Sequence, residues 1–209
     1  METVTITPTN ADLHVLTTAE GAAGRVGHDL VLDVDDFRGT VVLDGDLPTD
    51  VRLVAALTSL RVLSGTGGLK PLTAGDKAQI LRNATKALKA DDSSGVLFAA
   101  TDVARTDGGF QLTGTVTIGE VTRPLTAQVR VAEGEDRWTV TSTVELRQTD
   151  FGITPYSAMF GTLRVADVVR VRFDAAQTLT VTEQLQARTN IGAVAAADVG
   201  NTDTDFVVI

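Results

Sequence analysis

Two histidines, His14 and His28, are the only imidazoles in this 209-residue chain. Asp29 follows His28, and the pair suggests acid–base chemistry until strand geometry is considered. Neighbours on a strand point to opposite faces, so adjacency alone does not join them by a hydrogen bond. Two readings of His28 stand: a histidine inside a barrel that contacts a ligand head group, or a structural one that fixes the turn made by Gly24 and Gly27. His14 reads as an ordinary strand residue. Arg123 precedes Pro124 after a turn at Gly119-Glu120. It reads as a turn arginine paired to a carboxylate such as Asp150, against an alternative as a polar anchor at a pocket mouth. The run SGTGGLK, Ser64 to Lys70, is glycine-rich but lacks the Gly-Lys-Ser/Thr ending with which a phosphate loop places its lysine and magnesium ligand. It suits a chain that leaves a strand and turns towards a helix. Asp33, Asp35 and Asp36 do not have EF-hand spacing, and no Gly-x-Ser-x-Gly elbow occurs. Side-chain chemistry alone therefore gives no enzyme.

Composition narrows the classes further. The chain has no cysteine, which removes disulfides, thiolate chemistry and zinc–cysteine sites, and two histidines cannot build a multi-histidine metal centre. No metal or cofactor is expected. A formal charge of −9 argues against nucleic acid, which demands a concentrated basic surface, and disfavours docking to anionic membrane. The N-terminal residues METVTITPTNADLHVL lack the basic-then-apolar layout of a signal peptide, and no apolar run approaches the ~20 residues of an integral membrane segment. These features predict a soluble cytoplasmic protein.

Most of the first 180 positions alternate with period two, the mark of strands with one buried face. Leu30, Leu32 and Val34 alternate in this way, as do Leu112, Gly114, Val116 and Ile118, and Leu125, Ala127, Val129 and Val131. Asp44-Gly45-Asp46, Asp107-Gly108-Gly109 and Glu133-Gly134-Glu135-Asp136 carry hairpin-turn chemistry. Eight or so strands with short turns predict an all-β antiparallel meander, closed into a barrel to remove its edges. One helix is predicted from Asp76 to Ala90, with Ile80, Leu81, Ala84, Ala87 and Leu88 on one face and a Thr73/Asp76 capping box. It would cover an open end or flank of the barrel. Residues 1–178 form the predicted barrel domain. Residues 179–209 lose the alternation and read as a C-terminal extension, helical around Glu183 to Arg188 and Ala193 to Val199.

The segment Gln148 to Asp167, QTDFGITPYSAMFGTLRVAD, is the densest in information. It sets Phe151, Tyr156, Met159 and Phe160 among glycines and a proline, in a chain with only seven Phe, one Tyr and one Trp. Long ordered loops with apolar side chains are where binding tends to reside. With so few aromatics, the inward faces must be mainly valine, leucine and alanine. An eight-stranded barrel has room for such side chains alone or for one small ligand. A smooth aliphatic bore rimmed by these four residues would suit a long hydrocarbon chain. Periodicity leaves an open bore and a packed core equally available.

Four segments, taken in order, carry a family likeness: GRVGHDLVLDVDDFRG, LTSLRVLSGTGGLKPL, LTGTVTIGEVTRPLTAQVRV and RQTDFGITPYSAMFGTLRVADVVRVRFDA. Together they resemble the YceI-like family over residues 3 to 176, its intracellular actinobacterial branch above all. The resemblance implies a lipocalin-like antiparallel barrel with a helix at its side. It also implies an isoprenoid lipid (a polyisoprenoid or isoprenoid quinone) bound in the bore, and a homo-oligomer, commonly a dimer. The matching motif positions are His28, Arg123, Asp150, Phe151 and Gly152. The helical segment AGDKAQILRNATKAL departs from the histidine-bearing pattern of many exported members. The tail, QARTNIGAVAAADVGNTDTDFV, resembles segments of phage tail-fibre-type proteins, and implies an alternative in which a packed barrel serves a virion or appendage as a structural module with an oligomerising tail.

Overall fold

Alternating aliphatic and polar residues form strands because a pleated backbone sends successive side chains to opposite faces. The computed structural model describes residues 1–178 apart from 92–93 and 135–136. The expected tail helices and assembly segment lie outside the described residues. In chain order the strands are β1 (Glu2–Ile6), β2 (Ala11–Thr17), β3 (Ala19–Glu20), β4 (His28–Val34), β5 (Phe37–Asp44), β6 (Leu47–Ala56) and β7 (Leu60–Gly67). After the helix α1 (Ala74–Leu88) come β8 (Gly95–Thr106), β9 (Gly109–Ile118), β10 (Val121–Glu133) and β11 (Arg137–Arg147). Two short strands, β12 (Ser157–Ala158) and β13 (Leu163–Val165), precede β14 (Val168–Thr178).

Eleven strand segments share one sheet in the order β1-β5-β6-β8-β9-β10-β11-β14-β2-β4-β7. The order has two nominal ends, but each end continues a strand already inside it. β1 and β2 are one strand bent at Thr7–Asn10, where the Thr7 amide donates to Asn10 Oδ1 at 2.8 Å. β4 and β5 are one strand bent at Asp35-Asp36, and β6 and β7 are one strand bent at a 3₁₀ turn, Leu57–Ser59. Hydrogen bonds Asp35 N to Ser59 O (3.3 Å) and Ala56 N to Asp36 O (2.9 Å) carry the ladder across these bends. Because β4 pairs with β2 while β5 pairs with β1 and β6, the sheet meets itself. The result is a closed, antiparallel, eight-stranded barrel, as expected from the sequence.

The two ends of this barrel differ. At one end the strands join through tight hairpins, at Gly45 (φ 62°) and at Asp107-Gly108 (Gly108 φ 77°). These are the positive-φ positions that the Asp-Gly and Gly-Asp pairs anticipate. At the other end lie the long connections: α1, the 3₁₀ turn Gly24–Val26, and the 148–167 loop, whose β12 and β13 pair with β3 in a separate three-stranded sheet.

The helix starts two residues earlier than its apolar pattern suggests, because the capping box fixes its first turn. Asp76 N donates to Thr73 Oγ1 at 3.2 Å, and Thr73 N donates to Asp76 Oδ2 at 3.0 Å. Aspartate thus fills the place usually held by Glu or Gln. At its far end Lys89 turns left-handed (φ 51°), and Ala90 N returns to Thr85 O at 2.9 Å.

The Asp76 carboxyl is pulled from 3.8 to about 2, chiefly by the Thr73 amide, then by the Thr73 hydroxyl and Lys70. A depressed carboxylate stabilises the fold above its unfolded pKa and loses that contribution as pH falls through the folded value. The helix start should therefore weaken between pH 3.8 and about 2. Thr73→Ala removes only the hydroxyl, so an NMR titration should find the Asp76 pKa raised part of the way towards 3.8. A titration that matches the wild type would show that the hydroxyl has no such role.

Candidate ligand-binding cavity

The residues facing the barrel axis are mainly aliphatic, with Phe98, Phe110, Trp138, Ser142 and Phe173 also among them. Leu13, Val15, Leu32, Val41, Leu53, Val116, Ala127, Val140 and Val171 belong to eight-strand walls around a single cavity of about 1580 Å³. Small and branched side chains project too little to meet across a ring of this width. The burial pattern says the same. Val51, Leu53, Val129 and Val131 face inward yet are only half-buried, and no large side chain among the described residues is wholly shielded; Val116, among the deepest, keeps 3 % exposure. A packed core would have removed such residues from solvent entirely. The bore is open.

Two packed clusters bound it. One joins Leu13, Val34, Phe37 and Ala55 where the three bent strands fold over each other. The other joins Val116, Phe151 and Ile153, with Leu88 of α1 and Leu125 against them. α1 turns Ile80, Ala84, Ala87 and Leu88 to the cavity, so it lies over the loop end of the bore.

His28 is the main polar group of that end. Its ring lines the cavity, and Nε2 donates to the Lys70 carbonyl at 2.8 Å, which fixes the proton on that nitrogen. Gly68 lies flat beneath the ring: a Cβ there would fall 2.4 Å from Cε1 and Nε2, and φ at this residue is +72°. The glycine run that resembles a phosphate loop is thus a seat for the histidine. Asp29 points the other way, and its Oδ1 accepts from the Ala19 amide at 2.8 Å. His28 is therefore both a cavity residue and a structural clamp, although its partner is the 67–72 turn rather than Gly24. His14 sits on the outer face between Asp33 (3.6 Å) and Arg172 (3.5 Å), where it spans three neighbouring strands.

The other sequence candidates separate. Phe151 is buried on the cavity wall and Tyr156 stands half-exposed at its edge. Met159 and Phe160 are exposed and do not line the bore. Arg123 and Asp150 are both exposed and outside the cavity. Arg123 donates Nη1 to the Thr122 carbonyl at 3.0 Å, and no ion pair joins it to Asp150 among the described residues. Strand parity would set Arg123 on the same face as Leu125 and Ala127, which line the bore from β10, but its guanidinium at the strand's start is turned back to its own backbone.

The acid that organises the 148–167 loop is Asp167. Its Oδ2 accepts from Thr149 Oγ1 (2.7 Å) and Arg147 Nη1 (3.2 Å), and its Oδ1 from the Thr149 amide (2.9 Å). These contacts, the Thr149 hydroxyl first, hold its carboxyl below the usual range. Gln148 lines the cavity and donates Nε2 to Ala166 O at 2.8 Å. At the hairpin end Arg105 reaches Asp46 (3.0 Å) and lies 5.4 Å from the ring centroid of Phe110, its partner on the neighbouring strand. The position of Arg105 just before an Asp-Gly turn and opposite an aromatic is the sequence signal for this contact.

A family model, the YceI-like domain, matches residues 5–177. The chain belongs to the YceI-like family. Its YceI-like barrel is similar to the crystal structure of BcnA from Burkholderia cenocepacia, with a TM-score of 0.61 at 16 % identity, over 83 % of this chain and 99 % of that one. A mutant CJ YCEI protein crystallised for nanotechnology applications gives a TM-score of 0.52 at 12 % identity, over 71 % of this chain and 84 % of the other. At such identities the likeness is one of fold. No curated protein sequence matches this chain significantly. Of the YceI-like motif positions, His28 and Phe151 face the bore, Gly152 supplies a left-handed turn (φ 70°) after Phe151, and Arg123 and Asp150 lie outside.

Gly68→Ala should displace the His28 ring and break its bond to Lys70. The combined loss of a left-handed glycine and a polar contact should cost about 1–3 kcal/mol. Urea unfolding gives the energy, and the imidazole NMR signals give the displacement; wild-type values in both would refute the seat.

Proposed function

We propose that this YceI-like barrel binds a long apolar molecule along its bore, for carriage or sequestration and without catalysis. The class is a polyisoprenoid, an isoprenoid quinone or a similar lipid, on the family resemblance. The observation that carries the reading is the aliphatic cavity of about 1580 Å³. It exceeds the ~300–1,000 Å³ of ordinary small-molecule pockets. Each CH₂ buried against such a wall contributes about 0.8 kcal/mol, whereas a hydrogen bond contributes a net of about 1 kcal/mol. A dozen buried carbons therefore outweigh every polar contact that His28, Tyr156 and Gln148 could make together. The wall supplies affinity, and the polar groups at the α1 end orient the head.

The competing reading, a structural module, calls for a filled interior, and the open bore favours the carrier. A homo-oligomer belongs to the same proposal. Val54 and Leu97, opposite each other on the outer faces of β6 and β8 and both exposed, are a candidate contact that sedimentation velocity would examine.

Solvent extraction and native mass spectrometry of the purified protein should reveal a co-purifying lipid. Val51 and Val129 line the bore and are only half-buried, so Val51→Trp and Val129→Trp should obstruct it while filling empty space rather than displacing neighbours. The expected outcome is a melting temperature within a few degrees of wild type and lipid content reduced severalfold. Full lipid content in both variants would place the ligand elsewhere.

A further inference from the structure

The net charge of −9 conceals a local reversal. All four lysines of the chain, Lys70, Lys77, Lys86 and Lys89, fall between positions 70 and 89, on α1 and the turns that flank it. Arg82 joins them, and Asp76 is the one acid between those positions. Lys77 is tied to Leu63 O at 3.0 Å and Lys70 to Asp76 at 3.3 Å. Arg82 and Lys86 are exposed and at 100° per residue share the face of α1 opposite Ile80, Ala84 and Ala87, which line the bore, and Lys89, also exposed, follows at the helix's C-terminal cap. The α1 end also carries acids, of which Glu20 is paired to Arg164 and Asp167 to Arg147 while Glu120 and Asp150 are exposed; the turns at the hairpin end carry Asp44, Asp46 and Asp107.

Bulky apolar side chains crowd the same end. Leu69 is 82 % exposed, Met159 58 %, and Phe160 completely. Met159 and Phe160 have φ of 51° and 57°, the left-handed region that side chains avoid because Cβ crowds the next carbonyl. The turn is pinned in this state: Thr162 donates from both its amide (3.2 Å) and its hydroxyl (2.8 Å) to Met159 O, and the Ala23 amide holds Thr162 O at 2.8 Å. One exposed apolar residue requires no explanation. Two on a fixed, left-handed turn, at the end where a basic helix covers an apolar bore, point to a surface that receives them.

We infer that the α1 end of the barrel docks on an anionic lipid bilayer, with Arg82, Lys86 and Lys89 over the headgroups and Leu69, Met159 and Phe160 entering the interface. A basic outward helix face beside bulky hydrophobes is the arrangement that lipid surfaces select. The acidic hairpin end is repelled by the same surface, which orients the molecule. The docking deepens the carrier reading, since it brings the bore to a source of apolar chains, and it rests on that reading for its purpose alone.

The full chain is sedimented with vesicles of phosphatidylcholine alone and of phosphatidylcholine with phosphatidylglycerol. It should bind the second and not the first, and release as salt rises. Arg82→Gln, Lys86→Gln and Lys89→Gln together should weaken binding on the order of a hundredfold, at about fivefold per charge. Met159→Ser with Phe160→Ser should weaken it separately, with circular dichroism verifying the fold. Equal affinity for both vesicles, or indifference to both sets of substitutions, overturns the docking. Vesicle binding by protein that carries no lipid supports the docking and sinks the carrier reading alone. Lipid-loaded protein that ignores phosphatidylglycerol vesicles sinks the docking alone.

Discussion

Ring closure around side chains too short to fill the ring is the constraint on which the molecule depends. Eight strands define a width at which bulky inward residues would meet and small ones would not. Closure itself hangs on three bends, at Thr7–Asn10, Asp35-Asp36 and Leu57–Ser59, which let one long strand pair at both of its halves. Inward positions such as Val41, Leu53, Ala127 and Val140 then leave the axis empty. An apolar surface that stays wet forgoes the gain that drives folding, so the barrel stores an unmet demand for burial. A long aliphatic ligand meets that demand without a specific contact.

The asymmetry of the two ends follows from how the strands connect. Hairpins leave no material to close an opening, and there Arg105 is held along the rim by Asp46 and Phe110 of the neighbouring hairpin segments. The long connections all fall at the other end, where α1, the Gly68 seat and the Asp167-braced loop converge on His28, Phe151 and Tyr156. Polar orientation and surface recognition concentrate where the chain has residues to spend on them.

The strands, the hairpin turns at Gly45 and Gly108 and the Thr73/Asp76 helix start were legible because each is a local rule: alternation, positive φ, or a box three residues long. The aromatic loop was legible as a site, yet only Phe151 and Tyr156 of its four residues face the bore. Met159 and Phe160 face outward because their backbone is left-handed, which no local pattern announces for a non-glycine pair. The importance of Gly68 and Asp167 was hidden for a different reason. Their partners lie forty residues back and eighteen residues back along the chain, at His28 and Thr149. The hollow was beyond pattern altogether, since an inward valine reads alike whether it meets another side chain or open space.

The chain-length dependence of ligand affinity tests the hollow aliphatic bore most directly. Calorimetric titration with a homologous series of alkyl or isoprenoid ligands sharing one head group should show affinity rising about fourfold per added CH₂, then levelling once the bore is full. Affinity that ignores tail length from the first member onward would contradict a bore that binds by burying hydrocarbon.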